Sequence, residues 1–498
     1  MKTAAIICEF NPFHNGHAYL MKTLREKYDV DRIIAIMSGN YVQRGEPAVF
    51  DKYLRAESAL IGDRDSGYAD LVVELPTLFS SASAREFARA GVITAVNTGI
   101  VDILAFGVEE NVSLSDIIAQ AELSDRLEED EEAQLKIKEL IGQGLSYPEA
   151  VSRYIEAVTR KLEHRTLASQ DAACDEGSAC NAENLKFTHD SEAGGSESLR
   201  SEQDSEAVSM SVGSMYAANN ILAVEYIKAL NSFDTGYKIQ PIAIQRVGDG
   251  FNAEEAKDEK YCSATAIRAE LAKHSVYGSK LNTENASERD KENNLSGSRQ
   301  VKTEEDKERP ASTEAGLSEL NGFLDNYAPN IGELILKYAA KPVEPDILSD
   351  LLNKELLTAK YRGGELERCL DVSKEIADRL IKRADFPLGF TERIRDTKTR
   401  QYTYTRISRS LLHIALGITD AEMENAKADG YIKYLRILGF RRDSSELMKE
   451  LKNNARLPIV TKIADNKELM KDEIYYSGIY YALIGAKSEY ERSPIIVD

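Results

Sequence analysis

The sequence predicts an α/β fold: a parallel sheet covered by helices, followed by a mostly α-helical C-terminal domain. Three observations carry this. Short, β-branched-rich apolar runs alternate with helix-period segments from residue 2 to about residue 163. The same texture returns between residues 219 and 273. From about residue 317 onward, apolar residues fall at the 3.6-residue spacing of amphipathic helices.

The elements follow in order. AAIIC (4–8), RIIAIM (32–37), LVVEL (71–75) and VDILAF (101–106) read as strands. They are apolar almost throughout rather than alternating, as strands buried on both faces are. HAYLMKTLREKY (17–28) and FARAGVITAVNTG (87–99) read as the intervening helices. Strand, helix and strand in succession make βαβ units, whose ligands sit at the carboxyl ends of the strands. NNILAVEYIKAL (219–230) predicts a helix, KIQPIAIQRV (238–247) a strand and SATAIRAELAK (263–273) another helix. IGELILKYAA (331–340), KEIADRLIKRA (374–384) and RISRSLLHIALGI (406–418) predict helices of the C-terminal part.

Two stretches break this texture. Residues 171–207 hold ten acidic and two basic side chains, a net of −8, with almost no large apolar groups. Residues 275–315 are polar with nearly balanced charge. Both read as solvated inserts. The first interrupts a domain instead of separating two. The expected organisation is therefore a domain over 1–315 carrying both inserts and a helical domain over 316–498.

Composition narrows the function. No apolar run approaches the roughly 20 residues needed to span a bilayer, and Glu9 interrupts the apolar start MKTAAIICEF. Neither a membrane span nor a secretory leader is expected. Cysteines at 8, 174, 180, 262 and 369 form no CxxC pair and no metal-ligand spacing. They fit a reducing, cytoplasmic setting, and no metal-binding residues are assigned. The net charge of −20 argues globally against a polyanionic partner. Locally it does not. Segment 381–409 carries eight basic residues against three acidic ones, with Tyr402 and Tyr404 interleaved. Such a surface suits RNA.

The chemistry concentrates in one turn. His14-Asn15-Gly16-His17 follows the first strand and opens the first helix. A helix N-terminus offers free backbone N–H groups and partial positive charge to a phosphate. Gly16 permits close approach of backbone or base. Two imidazoles donate to phosphate oxygens as charge develops. Ser263, Thr265 and Arg268 open a second helix and resemble the Ser-Thr-x-x-Arg signature that grips triphosphate in HxGH nucleotidyltransferases. These five, His14, His17, Ser263, Thr265 and Arg268, are the candidate catalytic residues. Arg246, after the strand IAIQ, is a further phosphate candidate.

Several stretches together resemble the bacterial tRNA(Met) cytidine acetate ligase family. They are ICEFNPFHNGHAYL (7–20), MSGNYVQRGEPAVFDKYLRAESAL (37–60), DLVVELP (70–76), FGVEE (106–110), NNILAVEY (219–226), SATAIR (263–268) and TKTRQYTYTRISRSLLHIALGIT (397–419). The resemblance implies a Rossmann-like HxGH nucleotidyltransferase domain. It also implies a reaction: acetate is adenylated with ATP, and acetyl passes to the wobble cytidine of elongator tRNA(Met), giving N4-acetylcytidine. ATP contacts are then expected along Ile7, Cys8, Glu9, Phe10, Asn11, Pro12 and Phe13. They continue along His14, Asn15, Gly16, His17, Ala18, Tyr19 and Leu20. Gly107, Asn219, Asn220 and Arg246 complete them, with Mg²⁺ accompanying the phosphates. Arg395, Lys398, Arg400, Arg406 and Arg409 are the expected tRNA contacts. Lys52, Arg55, Gln43 and Arg44 are expected at the mouth of the site. No protein partner is expected. The competing readings are another HxGH carboxylate activator or adenylyltransferase, and a non-catalytic RNA-binding module.

Overall fold

The computed structural model describes residues 1–63, 66–109, 112–143, 145, 150, 151, 153–155, 157, 158, 218–233, 238–248, 258, 260–274, 314–399 and 402–498. Apart from residues 314 and 315, the two inserts lie outside this set, as does Arg400.

All five strands expected in the first 250 residues form. They are β1 (Thr3–Cys8), β2 (Arg32–Ser38), β5 (Leu71–Leu75), β6 (Ile103–Val108) and β7 (Gln240–Gln245). A short hairpin, β3 (Tyr41–Val42) with β4 (Glu46–Pro47), leaves the end of β2. Strands β8 (Leu435–Arg441), β9 (Ile459–Val460) and β10 (Ile495–Val497) come from the end of the chain. The main sheet runs β10-β8-β5-β2-β1-β6-β7, with β9 beside β8. All its pairings are parallel except β5 with β8. Strands β2 and β6 flank β1 on opposite sides. The strand order therefore reverses at β1, where a crevice opens at the carboxyl ends.

The helices that position the site are α1 (Asn15–Tyr28), α2 (Lys52–Leu60), α3 (Ala84–Thr98), α4 (Ala218–Asn231), α5 (Ala264–Lys273), α6 (Phe390–Thr397), α7 (Tyr404–Leu416) and α8 (Lys471–Leu483). Apolar layers cover both faces of the sheet, as the unbroken apolar strands require.

The expected boundary near residue 315 is not where the described chain divides. Residues 1–121 and 218–498 form one compact unit. The C-terminal part is not purely helical either. Its LRILGFR strand pairs with β5, Leu71 opposite Phe440. Leu324, Ile376, Leu411 and Leu438 share one apolar core with Ala4, Ile6 and Ile33. A short apolar run bounded by polar residues fits helix or buried strand equally well, which is why periodicity missed β8.

Residues 122–217 form the second unit. Its described part contains the helix Glu131–Gly142, whose Ile137 is buried with Ala150 and Val151. Among the described residues no helix is long and apolar enough to cross a membrane.

Candidate active site

The loop after β1 delivers two histidines to the start of α1. His14 is the N-cap: its Nδ1 accepts from the Gly16 N–H at 3.0 Å. The His14 N–H donates in turn to His17 Nδ1 at 3.3 Å. The pair thus forms a capping box in which imidazoles play the roles usually taken by Ser and Glu. Because each Nδ1 accepts, the neutral tautomer of each ring carries its proton on Nε2. Both Nε2–H groups are then donors not used by the cap.

Gly16 makes this possible. A Cβ there would stand 2.9 Å from His14 Cε1. The room at Gly16 is taken by the His14 ring, whereas the sequence had pointed to an approaching backbone or base. The two rings lie 3.9 Å apart, and His17 is backed by Phe10 and Phe13 at 4.9 and 5.7 Å. Burial, then the charges of Arg246 and Arg268, lower His14 to about 3. Burial, His14 and Arg246 push His17 well below the usual imidazole range. Both rings are neutral donors at physiological pH.

Two arginines flank them. Arg246 follows β7, its backbone N–H bonded to Val108 O at 3.0 Å, and its side chain crosses Gly107, where a Cβ would sit 3.3 Å from Arg246 Cγ. Gly107 therefore clears a path for Arg246. Arg268, on α5, donates from Nη1 to Asn11 O at 2.6 Å and from Nη2 to Thr265 Oγ1 at 3.2 Å. Thr265 orients the guanidinium, while Ser263 caps the helix by accepting from Ala266 N–H at 3.0 Å. Burial lowers both arginines from their ordinary value, yet a guanidinium starting above 12 stays charged.

The structure distributes the rest of the 7–20 loop differently. Ile7 points to α3, where a Cβ on Gly91 would meet its Cδ1 at 2.6 Å. Cys8 Sγ donates to Ile36 O at 3.5 Å, and burial pushes its thiol up. Asn15 Nδ2 donates to Lys260 O and Asn326 O at 3.1 and 2.7 Å, and Tyr19 meets Tyr261 edge-on. Ala18 and Leu20 pack on the core. A peptide bond in the cis form joins Asn11 to Pro12. Asn220 is buried, and its Oδ1 accepts from Glu109 N–H at 3.3 Å, which ties α4 to the end of β6. The side chain of Asn219 lies outside the described set.

The β3–β4 hairpin is fastened to the same loop. Glu9 Oε1 accepts from Gln43 N–H at 2.8 Å, and Asn11 Oδ1 from Val49 N–H at 2.8 Å. At its tip Gly45 has φ +82°, and a Cβ would lie 2.3 Å from the backbone nitrogen of Arg409. Ser408 Oγ donates to Gly45 O at 2.9 Å. The hairpin thus wedges between the histidine loop and α7. No motif in the sequence marked this contact, which joins residues more than 350 positions apart.

Two expectations at the site mouth are corrected. Lys52 and Arg55 are fully buried. Arg55 Nε donates to Phe50 O at 2.9 Å and Nη1 to Glu9 O at 2.6 Å, with a further bond from Nη2 to Gly39 O. It clips together carbonyls at the ends of β1 and β2. Lys52 Nζ lies 2.6 Å from Glu74, 2.7 Å from Glu489 and 3.8 Å from Glu473. Both side chains are framework, because several buried acceptors already claim their donors. Gln43 and Arg44 are half-buried on the hairpin.

The expected RNA residues separate as well. Arg395 and Lys398 are exposed and make no ion pair with a described residue. Arg406 is half-buried beside Tyr402, 5.7 Å from its ring centre. Arg409 is buried, its Nε 2.8 Å from Asp371 Oδ2. It holds α7 in place and does not face solvent. Tyr404 is half-buried, and burial and the charge of Glu46 push its phenol up to about 12.

A histidine pair at the first βα turn, flanked by two arginines at a strand-order reversal, is the layout of a nucleotide site. The family described as HIGH Nucleotidyl Transferase matches residues 1–493. The chain belongs to the HIGH nucleotidyl transferase family. Within the curated relatives of this nucleotidyl transferase, a tRNA(Met) cytidine acetate ligase of Clostridium kluyveri is 29% identical over 503 residues, covering all of both chains. Another, from Caldanaerobacter subterraneus subsp. tengcongensis, is 28% identical and covers 95% of this chain and 91% of its own. Among solved structures, Thermotoga maritima TmcAL bound with alpha-thio ATP superposes with a TM-score of 0.69, at 23% identity over the full length of both chains.

Proposed function

We propose that this nucleotidyl transferase is a tRNA(Met) cytidine acetate ligase. It adenylates acetate with ATP and transfers acetyl to the wobble cytidine of elongator tRNA(Met). The observation that carries the adenylation half is the His14–His17 pair: two neutral Nε2–H donors at a helix N-terminus, between Arg246 and Arg268. The acetate and the tRNA come from the names of relatives that align over 95% or more of this chain.

In this reading His14 and His17 donate to the α-phosphoryl oxygens as acetate attacks. Phosphoryl transfer asks the protein for positioning and charge stabilisation more than for covalent chemistry. Neutral rings 3.9 Å apart avoid mutual repulsion. The incoming negative charge strengthens both hydrogen bonds where charge develops. Arg268, held by Thr265 and by Asn11 O, receives the β- and γ-phosphates, and the capped start of α5 adds its N–H groups. Arg246 lies on the histidine side of the phosphates. Among the described residues no three His, Cys, Asp or Glu side chains group as a metal site. Mg²⁺ accompanying the phosphates would be held mainly by phosphate oxygens and water, supplying charge neutralisation. Arg395, Lys398 and Arg406 offer the tRNA backbone a basic face.

Acetate-dependent ATP–pyrophosphate exchange tests the first half. A panel of other carboxylic acids in the same assay separates this ligase from other carboxylate activators. Mass analysis of nucleosides from tRNA(Met), after incubation with ATP and acetate, tests the second. Exchange specific for acetate together with N4-acetylcytidine establishes the function; absence of either refutes it.

A further inference from the structure

Two aromatic rings of the C-terminal part stand in water on backbone that is held fast. Tyr361 lies in the π-helical turn Ala359–Gly363, which follows the helix Ser349–Thr358, and Phe386 lies in the turn before α6. They are 68% and 50% exposed. A single exposed aromatic is ordinary on a protein surface. These two are built together. Tyr361 Oη donates to Asp385 Oδ1 at 2.6 Å, and Asp385 directly precedes Phe386. Arg393 of α6 is fully buried and fixes the same turn: Nη1 donates to Arg383 O at 2.8 Å and Nη2 to Phe386 O at 2.6 Å. A buried guanidinium thus orders this turn, while the Phe386 ring is left outside.

Cations lie against both rings. Arg383 Cζ is 4.7 Å from the Phe386 ring centre, and Lys360 Nζ is 5.5 Å from that of Tyr361. Lys360 also pairs with Asp385, and Arg383 Nε lies 2.7 Å from Asp396 Oδ2 on α6. Both of these carboxylates are therefore neutralised. Arg362, Lys382, Arg395 and Lys398 are exposed and make no ion pair with a described residue. The Arg383–Asp396 pair joins the rings to α6, the helix that carries Arg395 and ends beside Lys398. The patch is thus continuous with the basic face offered to the tRNA backbone. Rings backed by cations suit unstacked bases, and the uncompensated cations around them suit phosphates. That excess of positive charge favours a polyanion over a second protein chain.

We propose that Tyr361 and Phe386 form a stacking platform for unpaired bases of the tRNA, separate from the cytidine that is acetylated. The identity of the partner rests on the ligase reading above. Among the described residues, no hydrogen bond, ion pair or ring contact joins Tyr361, Phe386, Lys360 or Arg383 to the histidine loop or to the β3–β4 hairpin. The rings are therefore assigned to holding the tRNA and not to the chemistry. Every base has a π-face, so the platform demands no particular base. It does demand a base outside a helix, and so selects loops over duplex.

The test uses the full chain, an unmodified tRNA(Met) transcript and an RNA duplex of similar length. Tyr361→Ala and Phe386→Ala are each expected to weaken transcript binding at least about fivefold, and the double variant more. The log–log salt slope is expected to stay as in the wild type, because no phosphate contact is lost. Phe386→Leu should lose as much as Phe386→Ala, while Phe386→Trp should keep wild-type affinity. Duplex binding, acetate-dependent exchange and melting temperature should not change, and in acetylation KM for tRNA should rise with kcat unchanged. Unchanged transcript binding in the double variant would overturn the platform. So would equal losses on transcript and duplex, or full affinity in the Leu variant, which would mark an apolar patch that does not stack. A wild-type protein that forms no N4-acetylcytidine sinks the ligase reading; ring-dependent binding of the transcript would then still support the platform. A wild type that binds no transcript overturns both.

Discussion

Replacing Glu74 by Gln is expected to stabilise the protein, and increasingly so as pH rises. Glu74 lies at the end of β5, fully buried, with one oxygen 2.6 Å from Lys52 Nζ. Its other oxygen, Oε2, is buried without a hydrogen-bond partner, so nothing there favours a negative charge. Glu489 and Glu473 compete for the same ammonium. Burial costs Lys52 its charge less than Glu489, Glu74 and Glu473 restore it, so the amine stays protonated. Glu74 is pushed up to about 8, by burial first, against the pull of Lys52 and with repulsion from Glu473 and Glu489. In the unfolded chain it titrates near 4.5.

The sign follows. Below about 4.5 both states hold the proton, and the protonated Glu74 contributes its full stability. Between about 4.5 and 8 only the folded state holds it, so stability falls by up to about 1.4 kcal/mol per pH unit. The ceiling across that window is about 5 kcal/mol. Relaxation and water entry at a buried site reduce the expected gain of the Gln variant to roughly 2–3 kcal/mol at pH 8. Urea unfolding of both proteins from pH 4 to 9 gives the difference curve. It should start near zero, rise through neutral pH and level off above about pH 8. A flat curve, or one in which the wild type gains on the variant with pH, would refute a protonated Glu74.

Four further outcomes test the site and the basic face. His17→Ala removes one of the two proposed phosphate donors and should lower acetate-dependent exchange at least about 100-fold, leaving tRNA binding unchanged; exchange at wild-type rate would remove the assignment. Gly16→Ala should cost exchange about tenfold or more, because its methyl displaces the His14 ring by a large fraction of an ångström; filter-binding of ATP and exchange rates measured together would reveal an unaffected site. The double variant Arg395→Ala/Lys398→Ala should weaken tRNA binding and flatten its log–log salt dependence by about 2. Arg409→Ala should instead leave that slope alone and destabilise the fold by roughly 2–4 kcal/mol, by stranding Asp371; the reverse pattern in titrations and melts would exchange the roles of these residues.

Much of the nucleotide half was legible before any coordinates. Strands β1, β2, β5, β6 and β7 are apolar runs separated by helical segments, and His14 and His17 announced themselves at the first turn. What escaped was whatever depended on distant pairing. LRILGFR carries no local mark of its partner β5, and Gly45 carries none of the α7 backbone that forbids it a side chain. Lys52 and Arg55 illustrate the limit for charge. A sequence shows that a residue is cationic, but not that carbonyls or glutamates from remote segments surround it. Arg409 and Arg395 differ in the same way, one paired inside and the other facing water.

The antiparallel pairing of β5 with β8 also sets the order in which the chain is completed. Leu71–Leu75 lies deep in the sheet, yet its outer partner is Leu435–Arg441. During synthesis from the N-terminus, the histidine turn and the first parallel strands emerge long before that partner exists. Until then β5 presents an unpaired apolar edge, the kind of surface that recruits other chains. Closing such a long loop is slow, because its entropy is spent before any contact repays it. The growing chain therefore carries a sticky margin for most of its translation, and loss of the last strands would leave that margin permanently open. A product that stops before Leu435 lacks the strand that pairs with that margin.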